Sequence, residues 1–533
     1  MKTIKTINFN MKKIILLLLL SITFNNYAQE VSIKKSEIFK DSKKNSSLEY
    51  SLEDENGGLV TIRSFYGGLR QKLKGYYIQH FDSNLKLLKE VEYEVDKNEL
   101  KNAFIKDNKL HLIEYNIDKK ADKISFNAVS AYLKDLKFSS KEILSLSEDE
   151  QQKYFGVLIF PFLLSNFSQY DNNHGGEVVM SSNNSYFVIN FDIKNKDKET
   201  HKIFVFNNNF EKVYEQLIEK NIKDKYFDYQ SIDIDDTNGT VYFLGKSFEN
   251  KSRKSKKKGE TNYHFELYKV NTNGQTKTNF KNADNFISSL ELITSDNRIA
   301  CVGFYGKTDE NKINGVSLFN LNPETLKIES EKFSPFSEEF LNDKYGNKER
   351  RKKRKKKKGI KNIDFKSVFM MDNGDIIINA EEFYITTHTS MSANGSFNTY
   401  TISHFDDIMS LKLNKEGHIK WARNINKRQT GLANSSYTSL PIGGDTYFFI
   451  NCSDRIKKIS ADRISFKQTN AKKSNLYLIK INENGAFDFK KIIDAKASKV
   501  YYKVNNGNVN LANQTVILIG KRKRKSRVLK LKI

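Results

Sequence analysis

A short apolar run recurs along this chain, each time followed by an Asn- or Gly-bearing turn and a second short run. The unit reads KGYYIQHFDSNLKLLKEVEYEV from Lys74, HKIFVFNNNFEKVYEQLI from His201, FELYKVNTNGQTKTNF from Phe265 and VSLFNLNPETLKIESEKF from Val316. It returns as IMSLKLNKEGHIKWARNI from Ile408 and NLYLIKINENGAFDFKKII from Asn475. Short apolar runs bounded by turn residues read as strands, and Asn and Gly accept the backbone angles of a tight hairpin. Each copy therefore predicts a β-hairpin.

Two further runs precede four of the copies. FDYQSIDIDD and TVYFLGKSF stand before Phe265, SSLELITSD and RIACVGFYG before Val316, IDFKSVFMMD and GDIIINAEEFYI before Ile408, and SYTSLPIGG and DTYFFINCS before Asn475. The turns between them are short and polar: Thr237-Asn238-Gly239, Asp372-Asn373-Gly374 and Ile442-Gly443-Gly444. A repeat of four strands, the inner ones rich in apolar and small residues, resembles the blades of β-propellers over nearly all of residues 31–533. The resemblance implies an all-β fold: a single β-propeller of four-stranded antiparallel blades. Units fall near 48–93, 100–145, 175–218, 228–280, 286–333, 363–425 and 435–494, and a partial unit of three strands occupies 499–533. The strand missing from that last unit is expected at Val31 to Phe39, which would close the ring without leaving an open edge. About eight blades are expected, with seven as the alternative because the second unit is the least regular.

Residues 147–173 interrupt the pattern; Ser147 followed by acidic residues predicts a capped short helix, although VLIFPFLL could also be a strand broken by Pro161.

Lys12 and Lys13, the apolar run from Ile14 to Leu20 and the sequence Asn-Asn-Tyr-Ala-Gln have the form of a secretory signal peptide, residues 1–28, with cleavage expected after Ala28. Residues 29–533 then form the propeller, exported to the periplasm, the cell surface or the medium, with no membrane span after cleavage. The run resembles bacterial export signals. Cys301 and Cys452 fall in blades that are not neighbours, so two buried free thiols are expected rather than a disulfide.

Charge sharpens the picture. The formal net charge is +25, of which the leader's lysines carry +4. The runs at 251–258 (KSRKSKKK), 348–358 (KERRKKRKKKK) and 521–527 (KRKRKSR) carry +6, +9 and +6, which matches the remaining +21. The rest of the mature chain is thus about neutral, and any electrostatic function belongs to these runs. In an up-and-down blade all three fall on the end that carries the B-to-C loops and the links between blades, with the long connections 386–399 and 453–470. As solvated flexible loops they would present Lys254, Lys256, Lys257, Arg350, Arg351, Arg354, Lys356, Arg522 and Arg524 as a cationic face. Suitable partners are polyanions such as lipopolysaccharide, acidic polysaccharide, anionic lipid or extracellular nucleic acid, or else an envelope protein. Sequence-specific nucleic-acid recognition is not expected, because no aromatic residues interleave the basic ones.

No motif identifies a reaction. The eight histidines are scattered singly without HExxH or HxH, so no metal site and no cofactor are expected. Asp233, Asp235 and Asp236 in DIDDTNG place the Gly one residue late for a calcium loop and read as a capped hairpin turn. GxSxG, Walker and GxGxxG patterns are absent, as are WD40 endings, paired-Gly kelch signatures and sialidase Asp boxes, and the single Trp421 does not fit the repeated tryptophans of quinoprotein dehydrogenases. A non-catalytic binding or scaffolding propeller is the expectation, with an envelope assembly component, or an enzyme acting at the channel mouth, as alternatives.

Overall fold

The computed structural model describes residues 31–533 apart from 44, 69–71, 97, 152–175, 196, 258–259, 296–297, 308–311, 346–359, 361, 392–396, 432–434 and 459–463. The expected signal peptide, most of the 147–173 insertion and the 348–358 run lie outside the described residues. The chain forms an eight-bladed β-propeller of antiparallel sheets, and the second unit is as regular as the others. Blades 1 to 7 occupy 46–94, 99–146, 177–220, 227–280, 285–335, 363–430 and 437–493. Strands are lettered A (innermost) to D within each blade.

Blade 8 is built from both ends of the chain. Its strands B and C are Thr515–Arg522 and Lys525–Lys532, strand A is split into Tyr501–Tyr502 and Asn508–Asn510, and strand D is Ser32–Lys35, paired antiparallel with Ser32 opposite Lys532. The N-terminal strand thus stands where the sequence repeat lacks one.

Apolar positions on the inner strands explain the ring. Buried side chains gather into eight clusters among the described residues, one at each contact between neighbouring blades. The richest joins blades 5 and 6 through residues such as Phe304, Leu318, Ile376 and Met409. The poorest is the closing contact, where Leu48, Leu59, Phe81 and Leu85 meet Ile517, Ile519 and Val528. Outer strands are amphipathic, as in Leu87–Glu94, and face solvent.

Two connections differ from expectation. Residues 386–391 and 397–399 are strand rather than open loop: strands B and C of blade 6, Ile376–Met391 and Phe397–Leu413, run on as a hairpin paired as far as Met391 opposite Phe397. Alternating Thr, Ile and Tyr on both arms favour this extension. Within 453–470, Lys457–Lys458 pairs with Ile464–Ser465, which adds to the outer edge of blade 6 through Asn426. Cys301 and Cys452 are buried free thiols, as expected.

Candidate functional site at the loop end and channel mouth

The tight turns collect at one end of the ring. Asp235 Oδ1 accepts from the backbone N–H of Thr237 and Asn238, and Gly239 adopts φ +69°, so DIDDTNG is a capped turn. The other end carries the B-to-C loops and the links between blades. There Ser147 caps a 3-10 turn at Glu148–Glu150, the start of the insertion.

The described basic residues behave less like free loops than their composition suggests. In blade 4, Lys256–Lys257 pairs with Glu260–Thr261 as a small hairpin. Arg253 is pinned: Nη1 donates to the Lys225 carbonyl at 2.8 Å and Nη2 to Asp228 Oδ1. Lys254 is exposed beside it. In blade 8 the run is a two-residue hairpin turn, with Arg522 opposite Lys525 and Lys523 at φ +57°. Arg522 and Arg524 are exposed, whereas Lys521 turns inward and donates to Ser46 Oγ at 2.6 Å. Burial brings the Lys521 ammonium down to about 8. Where flexible loops are expected, strand pairing therefore continues through the described parts of both runs. Arg350, Arg351, Arg354 and Lys356 lie outside the described residues. The segment carrying them is held at both ends, since Lys344 contacts Glu382 and Asp407 at 2.6 and 3.3 Å, and Ile360 bridges to Ile313.

Inside the mouth, the sequence reading missed a recurring device. Strand A carries a β-bulge at Glu49, Lys101, Gln230, Ser288 and Lys366 in blades 1, 2, 4, 5 and 6, each time three or four residues into the strand. A bulge inserts a residue and re-aims side chains toward the strand's edge. In three of the five the bulged residue is polar and followed by Ser, in FDYQSIDI, NFISSLEL and IDFKSVFM, a pair that marks a bulge only once register with strand B is known.

These strands give the channel mouth a mixed lining. Lys101 Nζ lies 3.2 Å from Glu99 Oε2 in blade 2. The Tyr229 hydroxyl of blade 4 donates to Glu177 of blade 3. Burial, reinforced by the Glu99 charge, pushes the Glu49 carboxyl up; burial does the same to Glu177. Burial brings Glu291 to about 8 and Asp364 to about 6. Lys366 and Lys503 are pushed down, also by burial. A carboxyl that keeps its proton near neutrality, as Glu291 does, can donate a hydrogen bond or act as a general acid.

Among the described residues, two groups could hold a cation. Asp122, Glu148 and Asp149 are largely exposed, and Asp122 is occupied in accepting from Ser147 Oγ and the Asp149 amide. Asp192, Glu199 and His201 are buried together in blade 3. At the tight-turn end, a cavity of about 460 Å³ lies between blades 1 and 2, lined by Asp54, His80, Lys89, Tyr132 and Lys134. Its Asp54 carboxylate already accepts from the Gly58 and Asn56 amides, and lies 2.7 Å from His80 Nε2.

No protein-family model matches this chain, and no curated protein matches it. Among solved structures, it is similar to the β-propeller domain of the trilobed protease from Pyrococcus furiosus, at 9% identity and TM-score 0.37 over 85% of this chain and 97% of that one. It is similar to the acylaminoacyl peptidase of Pyrococcus horikoshii at 10% identity and TM-score 0.34, covering 92% of this chain and 59% of that one. Prolyl oligopeptidase B from Galerina marginata is similar at 7% identity and TM-score 0.37, with coverage of 91% and 56%. The chain spans little more than half the length of these two peptidases.

Proposed function

We propose that this chain is an exported, non-catalytic binding propeller whose loop end collects a polyanionic ligand of the cell envelope or its surroundings. The observation that carries the proposal is the distribution of charge. Runs whose charge equals the entire excess of the mature chain emerge from B-to-C loops and an inter-blade link. Blades 4 and 8 are four positions apart in a ring of eight, so Lys254 and the pair Arg522 and Arg524 flank the mouth from opposite sides. The segment containing Arg350, Arg351, Arg354 and Lys356 leaves and rejoins the fold between blades 5 and 6, on the same end. A polyanion laid over the mouth meets cations on each side, and exposed lysines and arginines attract it over about 8–10 Å at physiological salt.

The test is binding of the mature protein to lipopolysaccharide, anionic vesicles, acidic polysaccharide and DNA across a salt series. A variant with residues 348–358 neutralised, and one with Lys254, Arg522 and Arg524 changed to Gln, accompany it. Binding to one class that weakens steeply with salt and falls in both variants supports the proposal. Equal binding by variant and parent, or none to any of the four, overturns it.

The acids of the mouth favour a second reading, an enzyme that uses Glu177, Tyr229 and Glu291. It predicts turnover that is lost in Glu291→Gln without loss of polyanion binding.

A further inference from the structure

The B-to-C hairpin of blade 3 turns four polar side chains toward blade 4. Strand register dictates this: Asp192 pairs directly with His201, and Asn190 and Glu199 stand two residues from one or the other on the same face. Their surroundings are apolar, with the His201 ring 4.7 Å from the Phe243 ring and 6.3 Å from that of Phe227. His201 is 0% exposed and Glu199 5%. Ligand atoms of Asp192, Glu199 and His201 all lie within 4.8 Å of one another.

Hydrogen bonding sets the imidazole for ligation. His201 Nδ1 lies 2.9 Å from Asn190 Oδ1, and an amide oxygen can only accept, so Nδ1 carries the proton. The lone pair is then on Nε2, which has no hydrogen-bond partner although Glu199 Oε1 is 2.9 Å away. Glu199 Oε2 also lacks a hydrogen-bond partner. A lone pair facing a carboxylate oxygen is repulsive unless a proton or a metal ion sits between them. Lys220, the nearby cation, is engaged by Glu266. Buried carboxylates in such surroundings are stable when paired or when they bind a metal.

We propose that Asp192, Glu199 and His201 Nε2 form a binding site for a borderline divalent transition ion of the Zn²⁺ or Mn²⁺ class, with Asn190 as the positioning residue that orients the imidazole. One nitrogen and two carboxylate ligands suit such an ion better than Mg²⁺ or Ca²⁺, which favour all-oxygen shells. A His ligand whose other ring nitrogen donates to a fixed acceptor is the usual arrangement in metal sites. Three protein ligands leave a coordination position for water or a fourth group. This departs from the expectation of no metal site, and it needs no ligands from separate blades: Asp192, Glu199 and His201 fall within ten residues of sequence.

The experiment uses the untagged mature protein. After treatment with a chelator it is dialysed against Zn²⁺, Mn²⁺ or Co²⁺, and bound metal is measured by mass spectrometry, Co²⁺ absorption and the shift in thermal midpoint. One equivalent per chain, a raised midpoint and visible Co²⁺ bands are expected. Glu199→Gln and Asp192→Asn, which conserve shape, lose the metal, and Asn190→Ser lowers affinity about 10–100-fold while keeping the stoichiometry. If a variant fails to fold, the parent protein still decides: less than a tenth of an equivalent with all three ions overturns the proposal and leaves a polar core that shares a proton. Metal retained at full affinity in folded Glu199→Gln overturns the assignment of ligands.

Discussion

Asp41 Oδ1 lies 2.9 Å from Arg63 Nη1, with both side chains 1% exposed. Asp41 directly follows the N-terminal segment that completes blade 8, and Arg63 belongs to strand B of blade 1. The same carboxylate accepts from Ser46 Oγ at 2.8 Å and from Ser526 Oγ of blade 8 at 2.9 Å. The Arg63 guanidinium lies 4.8 Å from the Phe39 ring and 5.1 Å from that of Tyr77. Polar closure therefore concentrates at the contact whose apolar cluster is the poorest in the ring.

Asp41→Asn should destabilise the fold by about 3–5 kcal/mol, because it leaves the arginine charge buried without its partner. Replacing both residues with apolar ones, as in Asp41→Leu with Arg63→Met, should recover most of that loss, since a buried pair and a packed apolar substitute are often nearly equal in energy. Denaturant unfolding of the two variants measures the difference. Equal losses would show that the lock depends on the serines rather than on the ion pair.

Gly303 on strand B of blade 5 faces the strand-A bulge. A Cβ there would come within 2.3 Å of the Ser289 carbonyl oxygen, a backbone atom held in the ladder. Gly303→Ala should accordingly cost about 1–3 kcal/mol as the innermost strand is forced away. Chemical unfolding measures it, and an unchanged midpoint would mean that the bulge relaxes freely.

Blade boundaries were legible in the sequence because apolar runs and turn residues are local, and the borrowed strand and the buried thiols followed from counting the repeat, which left the last unit one strand short and put Cys301 and Cys452 in separate blades. The strand-A bulges were not, since an inserted Gln230 or Lys366 looks like one more polar residue until register with strand B is known. The Asp41–Arg63 lock joins residues 22 positions apart across the closing contact, and nothing local marks either partner. Composition also made the run 521–527 look like a free loop, but charge says nothing about pairing, and Lys521 folds inward onto Ser46. The cluster at His201 had a faint signal in Glu-Thr-His, the i and i+2 spacing that places two ligands on one strand face.

Burial holds Glu291 protonated up to about pH 8 in the folded chain, while its unfolded counterpart titrates near 4.5. Between those values the native state binds the extra proton, so this group makes stability fall as pH rises through that window and is silent below it. Glu291→Gln should remove its share, flattening the decline in unfolding free energy between pH 5 and about 8 without changing stability at pH 4. Tyr229, held high by its own burial and by Glu177, stays neutral across this range and does not mask the effect. A variant whose pH profile parallels the parent's would place the Glu291 carboxyl in contact with water.

The blade 6 hairpin makes a different demand. Strand D pairs with strand C only as far as His404 opposite Thr430, and strand A reaches strand B only at Ile363 opposite Glu382. Just beyond those points the Phe383 N–H donates to the Asn362 carbonyl and the Gly431 N–H to the Ser403 carbonyl, and from there the arms pair with each other, helped by the Tyr384 and His404 rings stacked at 4.5 Å and by a 2.9 Å hydrogen bond between Thr386 Oγ1 and His404 Nε2. A two-stranded ribbon has marginal stability of its own, so it adds little to the ring. Replacing residues 387–401 with an Asn-Gly turn should leave the unfolding free energy within about 0.5 kcal/mol of the parent. Limited proteolysis of the parent with a protease specific for aromatic residues should cut this ribbon before any blade, because local opening there costs far less than unfolding a blade. A trimmed variant that loses several degrees of thermal midpoint would instead make the hairpin part of the cooperative core.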